Sequence, residues 1–304
     1  MAETRERKTG GGWAGARGMA GLHVAVLLFG VAGLFSKWIS APPLMIVFGR
    51  VTFAAALLGA VLAPRRGLKL PEGRSGWLLA CCGALLAFHW GAFFHSIQLS
   101  SVAVGLLGYA TAPVFATLLE PLVFRERFSR GGVPAALVAL AGTALIGLPW
   151  RIHTGAGGAA ILPGLFWGVA AGGSFALLSL ANRHLRRRYD SLRLIFFQVG
   201  FAALALAPLA PWFWKTPTAG EWALLALLGS FCTALAHGLF VEALSGVTAR
   251  AATLVGSLEP VYGIALAFVL LGERSEPHTL AGGVLILAAA AWVTLRPTAG
   301  GAAG

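Results

Sequence analysis

The sequence predicts an all-α integral membrane protein of ten transmembrane helices, arranged as two inverted five-helix repeats around a central cavity. Three observations predict it: an apolar composition, ten apolar runs of membrane-spanning length, and a match of the chain to itself half-way along. The 304 residues are 58% apolar and only 11% charged, with a mean hydropathy of +0.80. A water-soluble domain carries about 25% charged residues, so this chain could not cover its own surface in water. Disorder is excluded too, because it requires low hydrophobicity and high charge. The net charge of +12 is scattered in short tracts between apolar runs, as the positive-inside rule expects. A nucleic-acid partner is therefore not expected, whereas membrane lipid is.

A bilayer core about 30 Å thick takes about 20 apolar residues per helix. Breakers divide the chain into runs at 22–39, 43–62, 76–97, 101–122, 132–149, 161–181, 192–210, 221–243, 248–271 and 278–295. The first follows a basic tail (Arg5, Arg7, Lys8, Arg17), yet it has full length and no small-residue cleavage site precedes Pro42. It is read as a retained helix rather than a signal peptide. Ala41-Pro42-Pro43 ends it, and Pro64 to Gly73 separates the second run from the third. The third and fourth are nearly continuous across Ser100-Ser101. Arg125 to Arg130, Arg151 to Gly158, His184 to Asp190 and Pro211 to Pro217 close the next four. Ser245-Gly246 is a weak break before the ninth, and Gly272 to Pro277 precedes the tenth.

Of the 23 Lys and Arg residues, eighteen fall at the ends that ten spans with an inner N-terminus would place inside. Four (Lys37, Arg151, Lys215, Arg274) fall outside, and Arg50 lies within the second run. The bias predicts both termini in the cytoplasm. The expected organisation is a cytoplasmic tail at 1–21, a first repeat at 22–149, an external linker at 150–160, a second repeat at 161–295 and a tail at 296–304. Cys81, Cys82 and Cys232 lie in apolar runs with neither disulfide nor zinc spacing. They read as small buried apolar residues.

The self-match has a shift of 147. Trp90-Gly91-x-Phe93 aligns with His237-Gly238-x-Phe240, Pro113-Val114 with Pro260-Val261, and Glu126-Arg127 with Glu273-Arg274. At a shift of 148, Val51-x-Phe53-Ala54-Ala55 aligns with Val199-x-Phe201-Ala202-Ala203. Five helices per repeat is an odd number, so the second half enters the membrane from the opposite side. Inverted repeats mark many secondary transporters, since two similar halves facing opposite ways can exchange conformations around one central site.

Pro113 followed by Glu126-Arg127, Pro260 followed by Leu271-Gly272-Glu273-Arg274, and the stretch Ser257-Leu258-Glu259-Pro260-Val261-Tyr262 resemble the drug/metabolite transporter superfamily in its ten-helix, EamA-type branch. Within it the chain looks most like the YddG-type amino-acid exporters. The resemblance covers residues 22 to 295, with one departure: Phe124-Arg125 stands where the second half has Leu271-Gly272. It implies a bacterial inner-membrane secondary carrier for amino acids or similar metabolites.

Ionisable groups at membrane depth are costly and usually face a bundle interior. Glu259 lies mid-way along the ninth run, directly before Pro260. A proline inside a helix removes a backbone donor, so a kink beside an acid is expected. The acid suits a substrate amine or a coupling proton, and a carboxylate bonded to a neighbouring helix is the plainer alternative. Pro113 is the repeat partner of Pro260, and the two are expected hinges or gates. Tyr109, one turn before Pro113, offers a ring and a hydroxyl. His89 and Trp90 lie mid-way along the third run, and His237 is the repeat partner of Trp90. A neutral imidazole can donate and accept. Trp167 sits among Gly164, Gly168 and Gly172, a spacing that lets a neighbouring backbone approach closely, and is expected as an aromatic wall. Substrate binding is thus assigned to His89, Trp90, Tyr109, Trp167, His237 and Glu259. Arg50 reads either as a snorkelling cation or as a carboxylate ligand.

No HExxH motif, paired carboxylates, Ser–His arrangement or P-loop occurs. No enzyme activity, catalytic residue, metal or cofactor is expected. A carrier of cationic drugs or other metabolites is the main alternative to an amino-acid exporter. A lipid enzyme, a scaffold and a channel are more distant ones. The GxxxG faces suit packing within one chain or between two, so the oligomeric state stays open.

Overall fold

The computed structural model describes residues 10–65, 68–69, 73–124, 132–147, 160–185, 189–243, 255–256 and 258–295. The expected loop charges Arg125 to Arg130, Arg186 to Arg188 and Arg250 lie outside these residues. All regular structure among them is helical. Six helices are long and apolar enough to cross a membrane, at Gly18–Trp38, Pro43–Leu62, Gly73–Leu99, Ile161–Asn182, Ser191–Phe213 and Ala219–Phe240. Shorter apolar helical stretches cover Glu259–Leu271, Pro277–Trp292 and Val102–Ala116, the last interrupted at Ala110–Thr111.

Helix α1 (Gly10–Trp38) begins well before the expected boundary near residue 22. Pro42 caps α2 (Pro43–Leu62) in an extended conformation, and Pro43 starts it where a missing N–H costs nothing. After a 3₁₀ turn at Ala63–Arg65, α3 (Gly73–Leu99) follows. The near-continuous junction after it is broken by a cap. Ser101 Oγ accepts the backbone N–H of Val104 at 3.1 Å, and α4 (Val102–Tyr109) starts there.

The fourth run is therefore not one helix. It breaks at Ala110–Thr111, and α5 (Ala112–Phe124) resumes with Pro113 at its second position. Next come α6 (Gly132–Gly147), α7 (Ile161–Leu185) and α8 (Ser191–Leu206), the last capped by Asp190. A 3₁₀ turn at Ala207–Leu209 leads to the short α9 (Ala210–Phe213). Thr218 and Glu221 form a capping box for α10 (Ala219–Gly229). A π-helical segment, Ser230–Leu235, joins it to α11 (Ala236–Ala243).

The ninth run is also broken. Its helix α12 (Glu259–Leu271) begins at the acid itself, so Pro260 does not kink a continuous helix. Instead it occupies the first turn, where proline is tolerated. Helices α5 and α12 have 13 residues each, and their starts, Ala112 and Glu259, are separated by the self-match shift of 147. Gly272, at φ 66°, ends α12 in a left-handed conformation suited to glycine. The last helix is α13 (Pro277–Leu295).

Helices of one half pack mainly on helices of the other. The pairs α3–α7 and α1–α11 exchange under the shift, as do α5–α7 with α1–α12 and α3–α8 with α2–α10. The pairs α2–α8 and α6–α13 map onto themselves. Glycine makes the α4–α7 approach close: a Cβ on Gly168 would lie 3.2 Å from Gly105 O, and one on Gly172 2.9 Å from Tyr109 O. The expected glycine face of α7 is thus the seat of α4, which sets Tyr109 in place. Cys82 and Cys232 are buried, but Cys81 is exposed. It lies on the opposite side of α3 from the glycine-lined contact of Gly83 with α8.

Candidate functional site

The bundle interior holds a cation, an acid and two imidazoles among aromatic rings. Arg50 of α2 is 2% exposed. Its guanidinium lies 3.9 Å above the centroid of Trp90 and 5.4 Å from that of Phe94. Its Nε donates to Thr233 Oγ1 at 3.0 Å and its Nη2 to Cys232 O at 3.5 Å. Both acceptors lie in the π-helical segment. There Thr233 Oγ1 donates its own proton to Leu228 O, five residues back, at 3.1 Å. That bond leaves the oxygen lone pairs turned to Arg50.

Glu259 starts α12 and is 8% exposed. Its carboxylate makes no hydrogen bond or salt bridge with the described residues, although its charge is coupled to that of Arg50. Among the described residues only Arg193 Nε is both sealed from solvent and unpaired. The unpaired oxygens of Glu259 therefore border space that a water-sized probe enters.

The two histidines are held alike. His89 Nδ1 lies 2.9 Å from Ala171 O, with Ser174 Oγ at 3.5 Å. His237 Nδ1 lies 3.0 Å from Thr233 O. A carbonyl only accepts, so each Nδ1 carries a proton and each neutral ring keeps Nε2 as an acceptor. The ring centroid of His237 is 5.8 Å from Trp90 and 4.8 Å from Phe29. That of His89 is 5.6 Å from Tyr109 and 5.3 Å from Phe175. Tyr109 also meets Phe93 and Phe175. Tyr109 and His237 lie in this ring set and are half-buried.

The structure thus brings His89, Trp90, Tyr109 and His237 together through ring contacts, with Arg50 linking them electrostatically to Glu259. Trp167 is placed differently. Its ring neighbours are Phe88, His95 and Phe166, and the two phenylalanines are exposed. Pro113 and Pro260 both stand at the second position of a half-helix. Among the described residues no group of three His, Cys, Asp or Glu could hold a metal ion.

Sequence reasoning left Arg50 out of the assigned set, although an arginine inside an apolar run was the available signal. The rings of Phe29, Phe93 and Phe175 carried no signal, being three among 19 phenylalanines. Nor did the π-helical acceptors of Arg50.

Comparison with known proteins follows the same line. The chain is 25% identical to the transporter YxxF of Bacillus subtilis, over 90% of this chain and 88% of that protein. It is 27% identical to the "Probable terminal-alkyne amino-acid exporter" of Streptantibioticus cattleyicolor, over 93% and 90%. It is 26% identical to an S-adenosylmethionine uptake transporter of Rickettsia conorii, over 67% of each. A crystal structure 21% identical in sequence shares the fold with a TM-score of 0.62, covering 92% of this chain and 97% of that one. The EamA-like transporter family matches residues 16–148 and again 162–295, and the chain belongs to that family.

Proposed function

We propose that the protein is a secondary transporter of the bacterial inner membrane that exports amino acids, aromatic ones among them, or related small metabolites by alternating access. The observation that carries this reading is the unpaired carboxylate of Glu259. Among the described residues it has no hydrogen-bond partner and is not sealed from a water-sized probe. An acid buried without a partner is costly, and a substrate ammonium would answer it. The Nε2 acceptors of His89 and His237 suit the remaining ammonium protons, and Tyr109 with Trp90 suits the substrate body. Trp167 would serve as an outer wall beyond His95.

Ten spans in two inverted repeats follow from the same reading. The double family match and the packing pairs that exchange under the shift support it. Half-helices starting at equivalent positions would let α5 and α12 move as gates about Pro113 and Pro260. The S-adenosylmethionine and alkynyl amino acid named for two relatives share one chemical feature, an α-amino-acid head. That feature favours an amino-acid substrate over a cationic drug.

The test is counterflow of labelled amino acids in proteoliposomes, for wild type and Glu259→Gln. Amino-acid counterflow in wild type with loss in the variant supports the reading and puts Glu259 in the binding site. Counterflow that survives in the variant, with loss only of pH-driven flux, makes Glu259 a coupling acid. No counterflow of any amino acid by folded wild type overturns the amino-acid assignment.

A further inference from the structure

We infer that Arg50 is the carboxylate-binding residue of this site, and that Arg50 and Glu259 together select substrates carrying both an α-carboxylate and an α-ammonium group. The inference rests on the transport reading above and deepens it.

An arginine stays charged at every accessible pH, so its charge inside the bundle has to be answered. The partners it has are all neutral: the Thr233 hydroxyl, the Cys232 carbonyl and the Trp90 face. Its Nη1 makes no bond with the described residues and is not sealed. A guanidinium has five N–H donors, and its anchoring by Nε and Nη2 leaves the Nη1 edge for a ligand. Glu259 is the mirror case, an acid with open acceptors and no cation bonded to it among the described residues.

The two charges sense each other without touching. Carboxylate and guanidinium pair readily where they meet, yet no salt bridge joins these two among the described residues. Instead Arg50 is tied back to the π-helical segment and Glu259 to the start of α12. The arrangement holds two opposite charges apart with rings and imidazole acceptors around them. A cation would satisfy Glu259 and be repelled by Arg50, and an anion would meet the reverse. A zwitterion satisfies both and brings no net charge into the bilayer core, where net charge is costly.

The test uses counterflow of labelled phenylalanine and leucine, competed by molecules of the same side chain. The competitors are the amino acid, its amide, its decarboxylated amine and its N-acetyl derivative. Removing a charge-assisted hydrogen bond changes binding about 10- to 100-fold. Wild type should therefore prefer the amino acid to its amide, its amine and its N-acetyl form by at least that factor. Arg50→Gln should weaken the amino acid while sparing the amide and amine, collapsing those two preferences and leaving the N-acetyl discrimination. Glu259→Gln should do the opposite.

Size-exclusion chromatography and thermal unfolding establish that each variant is folded. If Arg50→Gln does not fold, Arg50→Lys and the wild-type competition series decide. Equal competition by amino acid, amide and amine in wild type overturns the inference while leaving the amino-acid carrier intact. So does an unchanged acid-to-amide ratio in folded Arg50→Gln. Absence of any amino-acid counterflow in wild type overturns both.

Discussion

The Thr233→Val substitution probes how Arg50 is held. Thr233 is fully buried, with 0% exposure, so no water can replace what its hydroxyl does. That hydroxyl accepts from Arg50 Nε at 3.0 Å and donates to Leu228 O at 3.1 Å. Valine keeps the branched shape and removes both bonds. A hydrogen bond to a charged group contributes about 1.5–3 kcal/mol and a neutral one about 1 kcal/mol. The expected loss is thus roughly 2–4 kcal/mol, partly offset by relaxation around the site. Thr233→Ser retains the hydroxyl and should keep most of it. The assays are the thermal midpoint in detergent and the KM of amino-acid counterflow. Valine should lower the midpoint and raise KM, serine should do little of either, and binding should weaken because the guanidinium is no longer fixed. A valine variant that matches serine in both readouts would refute the account of Arg50 as a charge oriented by the π-helical segment.

Other expectations follow from the packing and topology. Gly168→Leu forces side-chain atoms into Gly105 and Gly108 of α4 and should cost about 1–3 kcal/mol by overpacking, read as a lowered thermal midpoint. Gly200→Ala meets nothing within 4 Å and should be neutral or stabilising by up to about 1 kcal/mol in the same assay. Ser101→Ala removes the cap of α4 and should cost about 1 kcal/mol. Fusions of a fluorescent protein and of alkaline phosphatase to each terminus should give fluorescence and no phosphatase activity, since the charge bias predicts both termini inside. Phosphatase activity at either end would reverse the topology.

Most helices were legible because membrane insertion imposes one rule on the whole chain: about 20 apolar residues between polar breakers. The rule locates α2, α7 and α8 within a few residues. It misses the breaks in the fourth and ninth runs, because a half-helix inside a protein-lined interior is as apolar as a whole one. Thr111, which satisfies itself by donating to Gly108 O at 2.7 Å, is the small polar sign of the first break. The site was legible where polarity stands out against the run, at His89, His237 and Glu259. Arg50 stood out equally, but sequence alone could not tell a snorkelling arginine from one tied to Thr233. Trp167 was judged from its place among glycines. Those glycines seat α4, which turns the tryptophan toward His95 and Phe88 instead.

The two ends of the bundle differ in a way that bears on alternation. At the end assigned to the cytoplasm, His23 Nδ1 and Tyr262 Oη meet at 3.1 Å, joining α1 to α12. Leu22 and Val26 pack there with Val255, flanked by Phe240 and Leu258. At the opposite end a surface pocket of about 520 Å³ is lined by Lys37, Ser40, Gln98 and Lys215. A bond that exists in one conformation and is broken in the other biases the equilibrium by its net strength. For a neutral pair that is about 0.5–1.5 kcal/mol, or roughly two- to thirteen-fold. Tyr262→Phe keeps the ring and deletes the bond, so it should open the cytoplasmic end by that factor. The readout is alkylation of Val26→Cys, a position now fully buried, by an impermeant maleimide. The background replaces Cys81, Cys82 and Cys232 with alanine, and the reagent is added from the cytoplasmic side of inverted vesicles. A rate that does not change with Tyr262→Phe would mean that the apolar cluster alone holds that end shut, and that the hydrogen bond is no part of the gate.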